Sequence, residues 1–263
     1  MIMAMTSSML FEKFVPAIRS LNATEVCNAK QIPAAFELAR EGNLSAHYIP
    51  FDWVNTDARV VIVGITPGFT QWRNAMREAQ RQLAAGATSE MALREAKRTG
   101  AFSGAMRPNL VALLDHFGLN RWLGISTCES LFGSDSHLVH TTSVLRHPVF
   151  VSGENYNGTP GMTQHPLLQN QILEHFAKEA KALENAVFVP LGPKVSEALA
   201  WLVRRGEVDG TRVLEGMPHP SGANAERIAY ILGRKPREAL SAKTNAVKLD
   251  AAADSLREKI AAL

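Results

Sequence analysis

The sequence predicts an α/β fold: a three-layer α/β/α sandwich around a short, four-stranded parallel central sheet. Two observations carry this expectation. Four short β-branched or apolar runs stand apart from longer helix-like stretches, and three of the four end at glycine. Runs and stretches alternate along the chain, the order that builds a parallel sheet covered on both faces.

The first run, "RVVIVG" at 59–64, is a continuous Val/Ile segment of the kind buried on both faces of a sheet. "LVHTTSVL" at 138–145, "VFVPLG" at 187–192 and "TRVLEG" at 211–216 complete the set. Helical patterning covers 72–83, 90–98, 109–117, 167–183, 193–204 and 224–232. The start at Pro193 suits a first helical turn, where the missing N–H would be unpaired anyway. A Gly/Asn/Ser-rich stretch at 151–164, "VSGENYNGTPGMTQ", is expected as an exposed loop. The region of about 1–50 is expected to be helical, and the Ala-rich stretch 245–263 to form a helical appendage from about 240 onward. There is no internal repeat.

At 263 residues, with 46% hydrophobic and 20% charged side chains, the chain has material for one packed core, so a single domain over 1–263 and a monomer are expected. A net charge of +3 permits a polyanionic partner without demanding one. Cys27 and Cys128 stand far apart with no Cys-x-x-Cys or Cys/His cluster, which argues against a disulfide scaffold and against a zinc or iron–sulfur centre. The N-terminus lacks the basic-then-apolar layout of a secretion signal, and no stretch is long and uncharged enough for a bilayer. A cytoplasmic protein without membrane contact is the expectation.

In an open parallel sheet, functional groups gather outside the carboxyl ends of the strands. That rule selects "GITPGFTQW" after the first run and "GMPHPSGAN" after the fourth. In the former, Gly64 and Gly68 allow close backbone approach or positive φ, and Pro67 stiffens the turn, so its N–H groups can face an anion or a polar ring. In the latter, Pro218 and Pro220 hold His219 in a fixed direction. Neither loop matches the phosphate cradle G-x-x-x-x-G-K-[ST] or the dinucleotide pattern G-x-G-x-x-G.

A strand ending in G-x-x-P-G, paired with H-P-S-x-x-[NS] after the last strand, resembles the two motifs of the uracil-DNA glycosylase superfamily. "GITPG" is similar to the first motif of its mismatch-specific and single-strand-selective branches, and "HPSGAN" to the second. The resemblance runs from the first strand to the helix after Asn224. It implies a glycosylase that flips a damaged base out of DNA and hydrolyses its bond to deoxyribose. Negative charge builds on the departing base, so a fixed donor beside it lowers the barrier. His219 would be that donor.

The resemblance also implies roles for other residues. Gly64, Ile65, Pro67, Gly68 and Phe69 would line the base site. Thr66 stands where the family places an aspartate or asparagine that positions the attacking water, and a hydroxyl cannot take the water's proton as a carboxylate does. Thr141 or Thr142 stands where an asparagine reads the base edge. Phe102, in "GAFSG", would stack on the flipped base, with Phe69 as the competing aromatic. Ser221 and Gly222 would hold a phosphate through their N–H groups. Ala223 occupies the place of the family's wedge residue, which leaves Arg227, one turn past Asn224, as a substitute.

Arg73, Arg77 and Arg81 share one helical face by their spacing, and with Arg107 they mark a basic region suited to phosphates, though interspersed glutamates fit an ordinary exposed helix equally. No lysine lies in the motifs to form a Schiff base, so hydrolysis without strand cleavage is expected, with no metal or organic cofactor. Two alternatives stay open: a nucleic-acid-binding module that kept the pocket and lost catalysis, and a hydrolase of free nucleosides.

Overall fold

The computed structural model describes residues 2–101 and 106–263. In chain order, the N-terminal part contains α1 (Ile2–Ser20), β1 (Glu37–Glu41), β2 (Leu44–His47), β3 (Val60–Gly64), α2 (Phe69–Ala84) and α3 (Ser89–Gly100). The middle contains α4 (Arg107–His116), α5 (Leu119–Leu123), β4 (Val139–Ser143), β5 (Val149–Val151) and β6 (Glu154–Asn155). A continuous helix follows as α6 (Pro166–Gln171), a π-helical stretch (Ile172–Ala177) and α7 (Lys178–Ala182). The remainder is β7 (Val187–Pro190), α8 (Pro193–Arg204), α9 (Ala225–Ile231) and α10 (Ala246–Ala261).

The chain is α/β, with one parallel sheet ordered β4-β3-β7 and one antiparallel sheet ordered β1-β2-β5-β6. It divides into two compact units. Among the described residues, the first holds 2–54, 64–101 and 142–182, and the second holds 55–63, 106–141 and 183–263.

In the first unit, α2 forms because Trp72, Ala75, Met76, Ala79 and Leu83 repeat at helical spacing and are all buried. Gly68 caps it, and the Gln71 side chain accepts from the Gly68 N–H at 2.8 Å. Thr88 caps α3 through its hydroxyl, which accepts from Met91 N. The antiparallel sheet was not legible as such. Residues 37–47, expected as helix, form the β1–β2 hairpin, and the expected loop at 151–164 begins with the β5–β6 hairpin. Its two-residue turn, Ser152-Gly153, has positive φ at both positions (53° and 81°), the conformation that matches strand twist.

In the second unit, Val60–Val63 of β3 are fully buried and pair in parallel with β7 from Val60↔Val187 to Val63↔Pro190. α8 starts at Pro193 as expected and buries Val195, Ala198, Leu199 and Leu202. The expected fourth strand, 211–216, is corrected by the structure. Only Val213 bridges Phe188, with Leu214 N donating to Phe188 O at 2.8 Å. Residues Gly210–Arg212 are a 3-10 turn capped by Asp209, Gly216 turns away at φ 116°, and Pro218 has no N–H to donate. Of the three residues left, Val213 to Glu215, Val213 alone forms a bridge, so no strand is built. α10 buries Ala253, Leu256 and Ile260.

Candidate functional site

The turn after β3 belongs to the first unit from Gly64 onward. Ile65 O accepts from Leu145 N at 2.9 Å. The Thr66 hydroxyl donates to His147 O and accepts from Val149 N, both at 3.2 Å. A hydroxyl has one proton and two lone pairs, so Thr66 retains a single acceptor position with which to orient a water. Pro67 is buried, and Gly68, at φ −89°, serves close approach rather than a left-handed turn. A Cβ there would stand 3.3 Å from the Asn155 amide nitrogen. Asn155, on β6, accepts from Phe69 N at 2.9 Å. Two of the N–H groups expected to face a ligand, those of Gly68 and Phe69, are therefore bonded within the protein.

Phe69 stacks with Trp72 at 6.1 Å and lies beneath the Arg73 guanidinium at 5.7 Å. Thr142 is buried and its Oγ1 has no partner among the described residues, whereas Thr141, its neighbour on β4, points to the opposite face and falls in the second unit. Phe102 lies outside the described residues.

Behind this turn the first unit buries a charged network that motif reading missed. Glu179 receives Arg146 Nε at 2.8 Å and Lys97 Nζ at 3.3 Å. Asp52 accepts from Tyr48 Oη at 2.6 Å and faces Arg146 Nη1 at 3.4 Å. Arg146 also donates to His175 O at 2.9 Å, and Lys97 to Trp53 O at 2.9 Å. All four charged side chains are at least nine-tenths buried. Burial pushes the Asp52 carboxyl up to about 6, against the pull of Arg146. Burial also pushes the Lys97 ammonium down to about 8, against Glu179.

The next residue, His147, accepts from Ile49 N at Nδ1 and meets the His175 ring edge-on at 4.5 Å. Its Nε2 has no hydrogen-bond partner among the described residues, and burial, then His175 and Arg146, hold its pKa well below the usual value. His175 and His47 are each lowered to about 4, chiefly by burial. Below the ordinary histidine pKa of about 6.5, the unfolded chain therefore takes up protons that these folded imidazoles refuse. Stability is expected to fall as pH drops from 6.5 toward 4. Asp52 works in the opposite sense over the same range, one group against three. Thermal unfolding at pH 7, 5.5 and 4.5 checks this; a melting temperature that rises on acidification contradicts it.

The histidine loop lies wholly in the second unit. Pro218 and Pro220 are buried while His219 is half-buried. Ser221 N donates to His219 Nδ1 at 3.3 Å. The proton of a neutral imidazole must then sit on Nε2, which has no partner among the described residues, and desolvation lowers the ring's pKa. The same bond occupies the Ser221 N–H expected to hold a phosphate. Asn109 on α4 donates from Nδ2 to Pro220 O at 3.0 Å, a clamp that no motif announced. Gly192, at φ 90°, donates to Met217 O at 3.2 Å, and a Cβ on it would stand 3.1 Å from His219 Cβ. Gly192→Ala is expected to cost about 1–3 kcal/mol through strain at positive φ and to shift the His219 ring resonances. Denaturant unfolding and histidine NMR measure the two effects, and unchanged ring resonances would rule out the contact.

Gly222 and Ala223 are exposed in a 3-10 turn (Gly222–Asn224), Asn224 N donates to Ser221 O, and Arg227 Nη1 donates to Asn224 Oδ1 at 2.6 Å. Arg107, at the start of α4, lies 4.6 Å over the Phe132 ring. Among the described residues no group of three or more His, Cys, Asp or Glu side chains could hold a metal ion, and no helix is long and apolar enough to cross a membrane.

Fold and loops together define an α/β protein with a half-buried histidine held in a proline-flanked loop. The chain is 39% identical over 196 residues to the uncharacterized protein YoxB of Bacillus subtilis (strain 168), a span covering 73% of this chain and 77% of YoxB. It belongs to the same family as YoxB. No protein-family model and no solved structure matches the chain.

Proposed function

We propose that the chain is a DNA glycosylase with a uracil-DNA glycosylase-like α/β/α fold. It would hydrolyse the bond between a flipped, damaged base and its deoxyribose without cutting the strand. The observation that carries this reading is the hydrogen bond from Ser221 N to His219 Nδ1. With Nδ1 taken by Ser221 N, the ring offers one N–H donor in a loop fixed by Pro218, Pro220, Gly192 and Asn109. A neutral, pre-aimed donor is what a leaving group gathering negative charge requires, because no reorganisation is needed as the charge develops. The turn after β3 keeps the base-binding role that the motif resemblance gives it. Thr142, whose buried hydroxyl has no partner among the described residues, is the better placed of the two threonines to answer a polar ligand atom.

A second reading is favoured by Thr66, whose hydroxyl already holds His147 O and Val149 N and keeps one acceptor position for a water. A protein that orders its water poorly would bind nucleic acid and release no base. The deciding experiment incubates the chain with single- and double-stranded oligonucleotides bearing uracil, hypoxanthine, xanthine or hydroxymethyluracil, then cleaves with alkali; free nucleosides run in parallel. Base release from an oligonucleotide supports the glycosylase. Salt-sensitive binding without release supports the module, and turnover of nucleosides alone replaces both with a small-molecule hydrolase.

A further inference from the structure

We infer that a second site, in the first unit and separate from both loops, binds the phosphate group of a phosphoester. A surface cavity of about 810 Å³ lies where the end of α1 meets α2. Arg19, Arg77 and Arg81 line it together with one carboxylate, Glu78. The three arginines are not equivalent. Glu78 holds Arg81 in a two-pronged pair, at 2.9 Å to Nε and 2.6 Å to Nη2. Arg19 is steered by one bond from Nη1 to Leu83 O at 3.2 Å, which leaves the rest of its fork unused. Arg77 is exposed and has no acidic partner among the described residues.

A helix carboxyl end normally repels an anion, since its last carbonyls carry partial negative charge. Here that charge is covered. Gln80 Nε2 donates to Ile18 O and Arg19 O, each at 3.1 Å, and to Leu21 O at 2.8 Å. The same three bonds lock the wall in place, so the guanidiniums are presented by a built surface and not by a loose tail. Asn74 and Thr99 add neutral hydrogen-bonding groups to the lining. Planar guanidinium forks matched to phosphate oxygens, with uncharged donors beside them, fit a phosphate mono- or diester better than a carboxylate-rich peptide. The volume lies within the range of about 300–1,000 Å³ that small-molecule sites occupy, enough for a nucleotide-sized unit, supplied either as a free molecule or as part of a nucleic-acid backbone.

The site stands whether or not the chain proves to be a glycosylase. Its test measures binding by the full chain of adenosine monophosphate, by calorimetry, and of a fluorescent twelve-residue oligothymidylate, by anisotropy. Neither probe contains a damaged base. Arg77→Glu is expected to weaken binding about tenfold, and with the oligonucleotide to lower the salt slope by about 1. Lys194→Glu, the same charge change at an exposed position of the other unit, leaves both values unchanged. Glu78→Gln frees Arg81 and is expected to tighten binding two- to threefold or so, a gain that a merely structural role for Glu78 would not produce. Thermal unfolding confirms that each variant is folded. Binding of both probes assigns the site to small phosphoesters, and binding of the oligonucleotide alone assigns it to the backbone. No binding of either probe, or an equal loss in Arg77→Glu and Lys194→Glu, overturns the proposal.

Discussion

Glu179→Ala is expected to lower the free energy of unfolding by about 3–5 kcal/mol, since it removes the carboxylate that two buried cations share and leaves them only Asp52. The side chain is fully buried and answers both Arg146 and Lys97, themselves 7% and 3% exposed. For a chain of this size the melting temperature should drop by roughly 6–20 °C. Adding Lys97→Met to Glu179→Ala should recover part of that loss, because it removes one of the two cations and replaces it with an apolar chain of similar length. That recovery separates a charge effect from a simple cavity, which a second large-to-small change in volume would not repair. A Glu179→Ala protein within about 1 kcal/mol of its parent, the range of an exposed ion pair, would show that the network is solvated or that its charges are neutral. The consequence reaches the turn after β3. Arg146 immediately precedes His147, and the His147 carbonyl and Val149 N–H are the two groups that hold Thr66.

That network shows what a sequence hides and what it discloses. Burial of a charge leaves no local mark unless the charge falls on an apolar stripe, and two of these do. Lys97 is four residues from Leu93 and one from Ala96 on the buried face of α3. Glu179 lies three residues after Phe176 and four before Leu183, both buried. Read against helical spacing, each is an ion on a core face, and each could have been found that way. Asp52 and Arg146 sit in connecting segments with no periodicity, so only tertiary structure reveals them.

The three long Val/Ile-bearing strands and the helices at 72–83, 109–117 and 193–204 were readable because burial on both faces, or on one stripe, writes itself into the composition. The β1 strand was not. Its residues, "ELARE", are strong helix formers, and pairing with β2 overrides that preference. The histidine loop was legible because two prolines and a glycine constrain it locally. Its clamps were not, since Asn109 and Gly192 reach it from distant parts of the chain.

His219→Ala is expected to slow base release by about 100- to 1,000-fold, the effect of removing one pre-aimed donor from a site of developing negative charge. The fold should tolerate the change, because the ring is half-buried and its one hydrogen bond among the described residues is accepted from the nearby Ser221 N–H. His219→Asn retains an N–H donor on a shorter side chain and should restore some of the lost rate, whereas a packing role would be no better served by asparagine than by alanine. The pH profile tests the protonation state directly. Desolvation holds the imidazole below its ordinary pKa, and Ser221 N–H needs Nδ1 as an acceptor, so the working form is neutral and carries its proton on Nε2. The rate should then stay level from pH 8 down through about 6.5 and change only once the ring takes its second proton. If the rate instead falls tenfold per unit as pH rises above 6.5, the donor is an imidazolium. The bond from Ser221 would then be absent in the working enzyme, and the neutral-donor mechanism would be wrong.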